Sequence, residues 1–130
     1  MKQQFDTSLF IKLAASLEGE FFFDDTMRTL YATDASVYKE YPLAVCYPKS
    51  KKDIQALIQF AHQHKTSLIP RTAGTSLGGQ VVGGGIVVDV SKYFDKILEV
   101  NKDEKYCIVQ PGVVRDELNR QLKSTGLFFA

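Results

Sequence analysis

Only two cysteines, Cys46 and Cys107, occur in the chain, and each sits in an apolar run, AVCYP and YCIVQ. They lack the spacing of metal ligands and are expected to be two buried, reduced thiols. Histidine is as scarce. His62 and His64 lie two apart, on different sides of a helix, which suits neither a shared metal nor the core, so both are expected on the helix surface. An excess of one charge sign is missing too: 16 basic residues meet 15 acidic ones, for a net charge of +1. That balance argues against a nucleic-acid binder working by phosphate neutralisation, and gives no strong field toward a membrane surface. No apolar run approaches a membrane span. The Leu9–Leu17 segment is broken by Lys12 and followed by Glu18 and Glu20, so it is no signal peptide. The expectation is a cytoplasmic protein in a reducing compartment, at most peripheral to the inner membrane. No nucleophile–base pair is recognisable, and neither a catalytic residue nor a metal ligand is expected.

What is present suits a folded domain. Hydrophobic residues make up 45% and charged residues 24% of 130, enough for a core and against disorder. Leu9, Leu13 and Leu17 repeat at helical spacing, with Thr7 or Ser8 as cap and Gly19 as the end. Phe21–Tyr41 has no clear period and reads as a wrapped loop with short turns. LAVCYP is a short buried strand. SKKDIQALIQFAHQH is an amphipathic helix, with Ser50 and Asp53 as a capping box and Ile54, Leu57, Ile58 and Ala61 on its apolar face. SLIP follows as a second strand. A βαβ unit is expected, its two strands parallel with a right-handed crossover. GIVVDV is a further buried strand. KILEVN and KYCIVQP alternate around KDE as an antiparallel hairpin. VVRDELNRQLKSTG is a helix with Val114, Leu118 and Leu122 on one face and Gly126 at its end. The chain stops on the apolar LFFA, so it is expected to be the first part of a longer protein.

Between the SLIP and GIVVDV strands lies PRTAGTSLGGQVVGGGIVVD, with six glycines in twenty residues. A Walker loop would need lysine where Gln80 stands, then a serine or threonine and a helix. A Rossmann turn needs G-x-G-x-x-G before a helix, and that spacing does not occur. Two readings remain open on the residues alone. One is a mobile loop or set of tight turns. The other is a backbone nest whose consecutive N–H groups grip a pyrophosphate, each charge-assisted bond contributing about 1.5–3 kcal/mol. In that reading Thr75 and Ser76 add hydroxyls and Arg71 supports loop or ligand. Val81–Gly85 is the turn into the next strand, and Asp89 has a turn or cap role.

The ordered set, strand–helix–strand, PRTAGTSLGGQ, GIVVDV, then QPGVVRDEL, resembles the FAD-binding domain of the FAD-linked oxidases, the vanillyl-alcohol oxidase/p-cresol methylhydroxylase superfamily. Its branch of glycolate oxidase, D-lactate dehydrogenase and D-2-hydroxyglutarate dehydrogenase is the most similar. LYATDASVYKEYP also resembles the N-terminal segment of long members that continue into an iron–sulfur domain. The resemblance runs from about Arg28 to Phe129.

It implies an α+β fold of the p-cresol methylhydroxylase type. Residues 1–42 would form an N-terminal helix and wrapped segment. Residues 43–130 would form the first part of the FAD-binding domain: a βαβ subdomain, then the start of a mainly antiparallel one. It implies that Pro70, Arg71, Thr72, Ala73, Gly74, Thr75, Ser76, Leu77, Gly78 and Gln80 form the FAD pyrophosphate cradle, with Gly112 of the P-G-V segment near the cofactor. Some members attach FAD through a histidine where Thr75 stands, so non-covalent FAD is expected here. Thr72 and Ala73 stand where the family often has glycine, and a positive φ at either would be strained. The family's second FAD segment, its catalytic base and its carboxylate-binding residues would lie beyond Ala130, as would any iron–sulfur cluster. The implied activity of the longer protein is oxidation of a 2-hydroxy acid by hydride transfer to FAD, with electrons passed to a further acceptor. The alternatives are a reductase of the enolpyruvyl-UDP-sugar type, or a non-catalytic piece that self-associates without flavin.

Overall fold

The computed structural model describes residues 6–130. The first five positions of the expected 1–42 segment lie outside the described residues. Helix α1 spans Thr7–Ser16. Its cap is Asp6, not Thr7 or Ser8: the carboxylate accepts the Ser8 amide at 2.9 Å and the Ser8 hydroxyl at 2.7 Å. The helix ends before Gly19, which serves a different purpose. A Cβ there would lie 2.2 Å from the Tyr47 carbonyl, so glycine lets two backbones touch.

The 21–41 segment is more regular than its sequence suggests. It holds strand β1 (Glu20–Phe22) and helix α2 (Asp25–Leu30), capped by Asp24, whose side chain accepts the Met27 amide. Both are too short to establish a hydrophobic period. Strand β2 (Ala44–Tyr47), helix α3 (Lys51–His64), strand β3 (Leu68–Arg71) and strand β4 (Ile86–Asp89) form where expected. The sheet order is β1-β2-β4-β3, with β1 antiparallel and the other three parallel. β2 and β3 are therefore parallel but not neighbours, because β4 inserts between them. Every residue of β4 is buried, as a central parallel strand requires.

The sheet has two apolar faces. Ala44, Cys46, Ile86 and Val88 pack with Phe10 and Leu13 of α1 and Leu57 and Phe60 of α3. Val45, Val87 and Ile69 form the other layer, against Met27 and Tyr31. The inward face of α3 is Asp53, Leu57, Phe60 and Ala61; Ile58 is exposed, contrary to the expected face, because Phe60 takes the inward place beside Phe10. His62 is on the surface, whereas His64 is half-buried against Phe60, ring centroids 4.4 Å apart. Cys46 is buried, and burial, with Asp53 and Glu20 nearby, pushes its thiol up to about 12. Cys107 is only half-buried.

Beyond the sheet, strands β5 (Ile97–Asn101) and β6 (Tyr106–Val109) pair as an antiparallel hairpin. Helix α4 (Arg115–Leu122) follows and runs into a short 3-10 turn closed by Gly126 at φ 75. Leu118 and Leu122 are buried, but Val114 is exposed because it is the cap residue rather than part of the apolar face. No helix among the described residues is long and apolar enough to cross a membrane.

Asp53 joins the N-terminal segment to this sheet. Its side chain is buried inside the first turn of α3. Oδ1 accepts the Glu18 amide at 2.9 Å; Oδ2 accepts the Gly19 amide at 3.0 Å and the Lys49 amide at 2.8 Å. Ser50 accepts the Asp53 amide at 3.2 Å, the half of the capping box that sequence predicted. The carboxylate itself is drawn to the preceding chain. Burial alone would raise its pKa; the amides of Lys49, Glu18, Ser50 and Gly19 outweigh that and hold it below the ordinary value.

A depressed folded-state pKa contributes stability that is present above the unfolded value and lost as pH falls through the folded one. Wild-type unfolding free energy should therefore drop as pH is lowered below about 4. Asp53→Asn should cost about 3 kcal/mol at pH 7, since charged acceptors of buried amides are lost. The gap between the two proteins should narrow as pH falls further below about 4 in denaturant titrations.

Candidate functional site

Ligands of open α/β sheets bind beyond the carboxyl ends of the parallel strands. Here those ends carry polar residues on one face. Glu20 pairs with Tyr47, and Arg71 with Asp89, in a row that closes the Val45–Val87–Ile69 layer. The glycine stretch leaves β3 at this edge. It must then run the length of the sheet to begin β4, and no helix intervenes.

Its two halves do different work. In the second half, Val81 packs on the apolar layer. A Cβ on Gly83 would meet Ile69 at 2.9 Å, and one on Gly85 would meet the Ser67 carbonyl at 2.3 Å. These glycines permit a close descent along β3. The first half bends at Gly74 (φ 68) and Gly79 (φ 73). Thr72 and Ala73 do not adopt positive φ: the non-glycine residues that do, among those described, are Lys65 and Lys105. The side chains at 72 and 73 thus impose no strain.

Loop curvature is fixed internally by Ser76. Its hydroxyl accepts the amides of Gly78 (3.3 Å) and Gln80 (3.1 Å) and donates to the Gln80 side chain at 2.7 Å. On the outer side, residues 31–40 clasp the loop. The Ala35 amide donates to the Gly74 carbonyl at 3.0 Å. Because the peptide is trans, that bond turns the Thr75 N–H the opposite way. The amides of Ala73, Gly74, Thr75, Ser76 and Leu77 donate to no acceptor among the described residues. A cavity of about 240 Å³ opens here, lined by Pro70, Arg71, Thr72, Gly74, Thr75 and Ser76 together with Val81, Val90 and Pro111. Ala73, Leu77, Gly78 and Gln80 lie outside that lining. Gly112 does too: its amide donates to the Phe94 carbonyl at 2.7 Å, and a Cβ would strike the carbonyls of Phe94 and Val90. A larger hollow of about 780 Å³ lies at the opposite, amino ends of the strands and contains none of the residues expected at the site.

Several residues here were not singled out from sequence. Tyr31 donates to Asp89 Oδ2 at 2.6 Å and so accepts from Tyr47 at 2.8 Å. Burial first, then Asp89 and Tyr47, raises the Tyr31 pKa, so the phenol stays protonated. Asp89 also accepts the Ser91 amide and hydroxyl, which is the turn role expected of it. Glu20 accepts from Lys92 at 2.7 Å and from the Tyr93 hydroxyl; Lys92 chiefly, then Tyr93, lowers the Glu20 pKa. Tyr31 lies forty residues before Arg71, and no local spacing announces such a pairing. The resemblance of LYATDASVYKEYP marked the segment without assigning roles.

The backbone makes a contrast that can be measured. Gly74→Ala would place a Cβ at φ 68 and 2.5 Å from the Arg71 guanidinium. It should cost about 1–3 kcal/mol. Ala73→Gly should cost only about 0.4–1 kcal/mol, through the unfolded chain. Denaturant unfolding of both variants checks the order.

The sequence profile of the family described as FAD binding domain matches residues 42–130. The D-2-hydroxyglutarate dehydrogenase of Escherichia coli K12 is 38% identical over 130 residues, covering 94% of this chain and 13% of that enzyme. The glycolate oxidase subunit GlcD of Bacillus subtilis is 33% identical over 111 residues, covering 82% and 24%. Among solved structures, p-cresol methylhydroxylase superposes with a TM-score of 0.78 at 18% identity, over 93% of this chain and 25% of that one. This chain thus spans a small part of the length of the relatives it matches. Its two-part α+β architecture is that of the p-cresol methylhydroxylase fold, and the chain belongs to the FAD-binding-domain family of the FAD-linked dehydrogenases and oxidases.

Proposed function

We propose that loop 72–80 holds the FAD pyrophosphate, and that the protein carrying this domain oxidises a 2-hydroxy acid. The observation that carries the reading is the run of amides from Ala73 to Leu77 that donate to no acceptor among the described residues, beside a cavity lined by Gly74, Thr75 and Ser76 at the carboxyl edge of a parallel sheet. Such a nest suits an anion with several acceptor oxygens. Gly74 supplies the bend at φ 68, and the Gly74–Ala35 bond already aims the Thr75 N–H. Thr72 and Thr75 bring exposed hydroxyls, whereas the Ser76 hydroxyl is committed to Gly78 and Gln80 and orders the loop. FAD, when bound, supplies the two-electron redox chemistry. The matched relatives named for D-2-hydroxyglutarate and glycolate support a 2-hydroxy acid as substrate, over the sugar-nucleotide reductase alternative. Substrate-binding and proton-accepting groups are then assigned to parts of the protein outside residues 43–130, along with the contact to an electron acceptor. Thr75 in place of a histidine supports non-covalent flavin.

A second property is favoured by exposed apolar side chains around the hairpin and α4. Leu98, Ile108, Val114 and Phe128 all face outward. Exposed apolar side chains in this number support self-association of the 130-residue chain.

The longer protein, reconstituted with FAD, should show a flavin spectrum, and acid precipitation should release all the flavin to the supernatant. An absent spectrum would overturn the reading. The 130-residue chain should lose FAD on gel filtration. Sedimentation should show concentration-dependent association, and a strictly monomeric profile at high concentration would contradict it.

A further inference from the structure

We infer that Arg71 is a positioning residue for the FAD loop, which it holds in shape through segment 31–40 rather than by meeting the phosphates. The inference rests on the reading of loop 72–80 as the pyrophosphate cradle. An arginine at the base of a phosphate loop invites the simpler role of counter-charge, but here Nη1 is already committed to backbone carbonyls. Nη1 donates to the Thr33 carbonyl at 2.8 Å, with the Tyr31 and Val81 carbonyls each at 3.5 Å. The guanidinium carbon lies 4.9 Å from the centre of the Tyr31 ring. Nη2 fills the space that a Gly74 side chain would take. The group is thus wedged between the segment that clasps the loop, the far end of the loop at Val81, and the loop's first bend.

Tyr31, the surface on which it rests, is itself fixed to the sheet through Asp89 and Tyr47. Arg71 is fixed to the sheet as well, since its carbonyl accepts the Val90 amide at 3.0 Å. Asp34 supplies the compensating charge nearby. One of its oxygens accepts the Ser36 amide at 2.8 Å, and Ser36 chiefly, with the Val81 amide and Arg71, holds its carboxyl below the usual range. Position then passes from β4 through Tyr31 to Arg71, and from Arg71 to Thr33 and Gly74. Two residues on, Ala35 sets the Gly74–Thr75 peptide. A lysine cannot replace this wedge. It offers a point charge, where the site uses a flat group that stacks on a ring while donating at its edge.

The two roles part in a titration of the 130-residue chain with FAD, followed by amide chemical shifts and referred to folded protein. In the positioning role, Arg71→Lys and Arg71→Met weaken FAD binding alike, by about tenfold, at low and high salt. Tyr31→Leu does the same, and the double variant Tyr31→Leu/Arg71→Lys is no weaker than either single. The Thr75 and Ser76 amides of Arg71→Lys shift before any FAD is added. Tyr31→Phe keeps the ring, so it lowers the melting temperature without changing affinity per folded chain. In the counter-charge role, Arg71→Lys binds like wild type, its apo loop shifts are unchanged, and the loss in Arg71→Met fades with salt; any of these overturns the inference. If FAD moves none of the wild-type amides of residues 73–77, it is the cradle reading itself that falls. If Arg71→Met or Tyr31→Leu fails to fold, Arg71→Lys still decides by its affinity and its apo shifts.

Discussion

The constraint on which the rest depends is that β4 is hydrogen-bonded to β3, the strand just before it, and runs parallel to it. A parallel neighbour usually follows through a helix that carries the chain back along the sheet. Here the return has no helix. A four-residue strand is about 13 Å long, and residues 72–85 must cover that distance while hugging β3. Close approach explains Gly83 and Gly85; the bends at either end of the loop explain Gly74 and Gly79. The same return puts bare amides at the carboxyl edge, where a sheet of this kind receives its ligand. Glycine content here therefore answers two demands, close packing along β3 and the sharp bends of the loop.

Local regularity was legible in the sequence wherever an element was long enough to repeat. α3, the hairpin and the apolar core of each parallel strand follow from period and composition. Sheet order was not legible, because the insertion of β4 between β2 and β3 depends on which buried strands meet, and all three are similar short apolar runs. β1 and α2 were hidden for a related reason: three and six residues cannot display a period. Family resemblance raised the question of glycine at 72 and 73, and the backbone answers it by taking its positive φ at Gly74 and Gly79 instead. The remaining surprises are long-range. Asp53 looked like half a local cap, yet its carboxylate binds Glu18 and Gly19. Arg71 looked like part of a loop motif, yet its partners sit forty residues upstream.

These long-range ties make the N-terminal segment part of the cofactor-domain core rather than an appendage to it. Phe10 and Leu13 lie in the same cluster as Cys46, Leu57 and Ile86. β1 extends the sheet, and Glu20 joins Lys92 and Tyr93 beyond β4. Residues 31–40 shape the loop that the family motif supplies. Ala35 and Thr33, both outside the motif, bond to Gly74 and Arg71 within it.

The position of β4 has a further consequence during synthesis. A chain emerging from its N-terminus makes β2, α3 and β3 before β4 exists, and β2 and β3 share no hydrogen bonds of their own. The parallel sheet therefore waits for Asp89. When β4 docks, it closes the loop between residues 72 and 85 in the same step, and burial of β4 offsets the entropic cost of that closure. The loop acquires its curvature as β4 pairs with β3, so the order of its amides is inherited from the sheet.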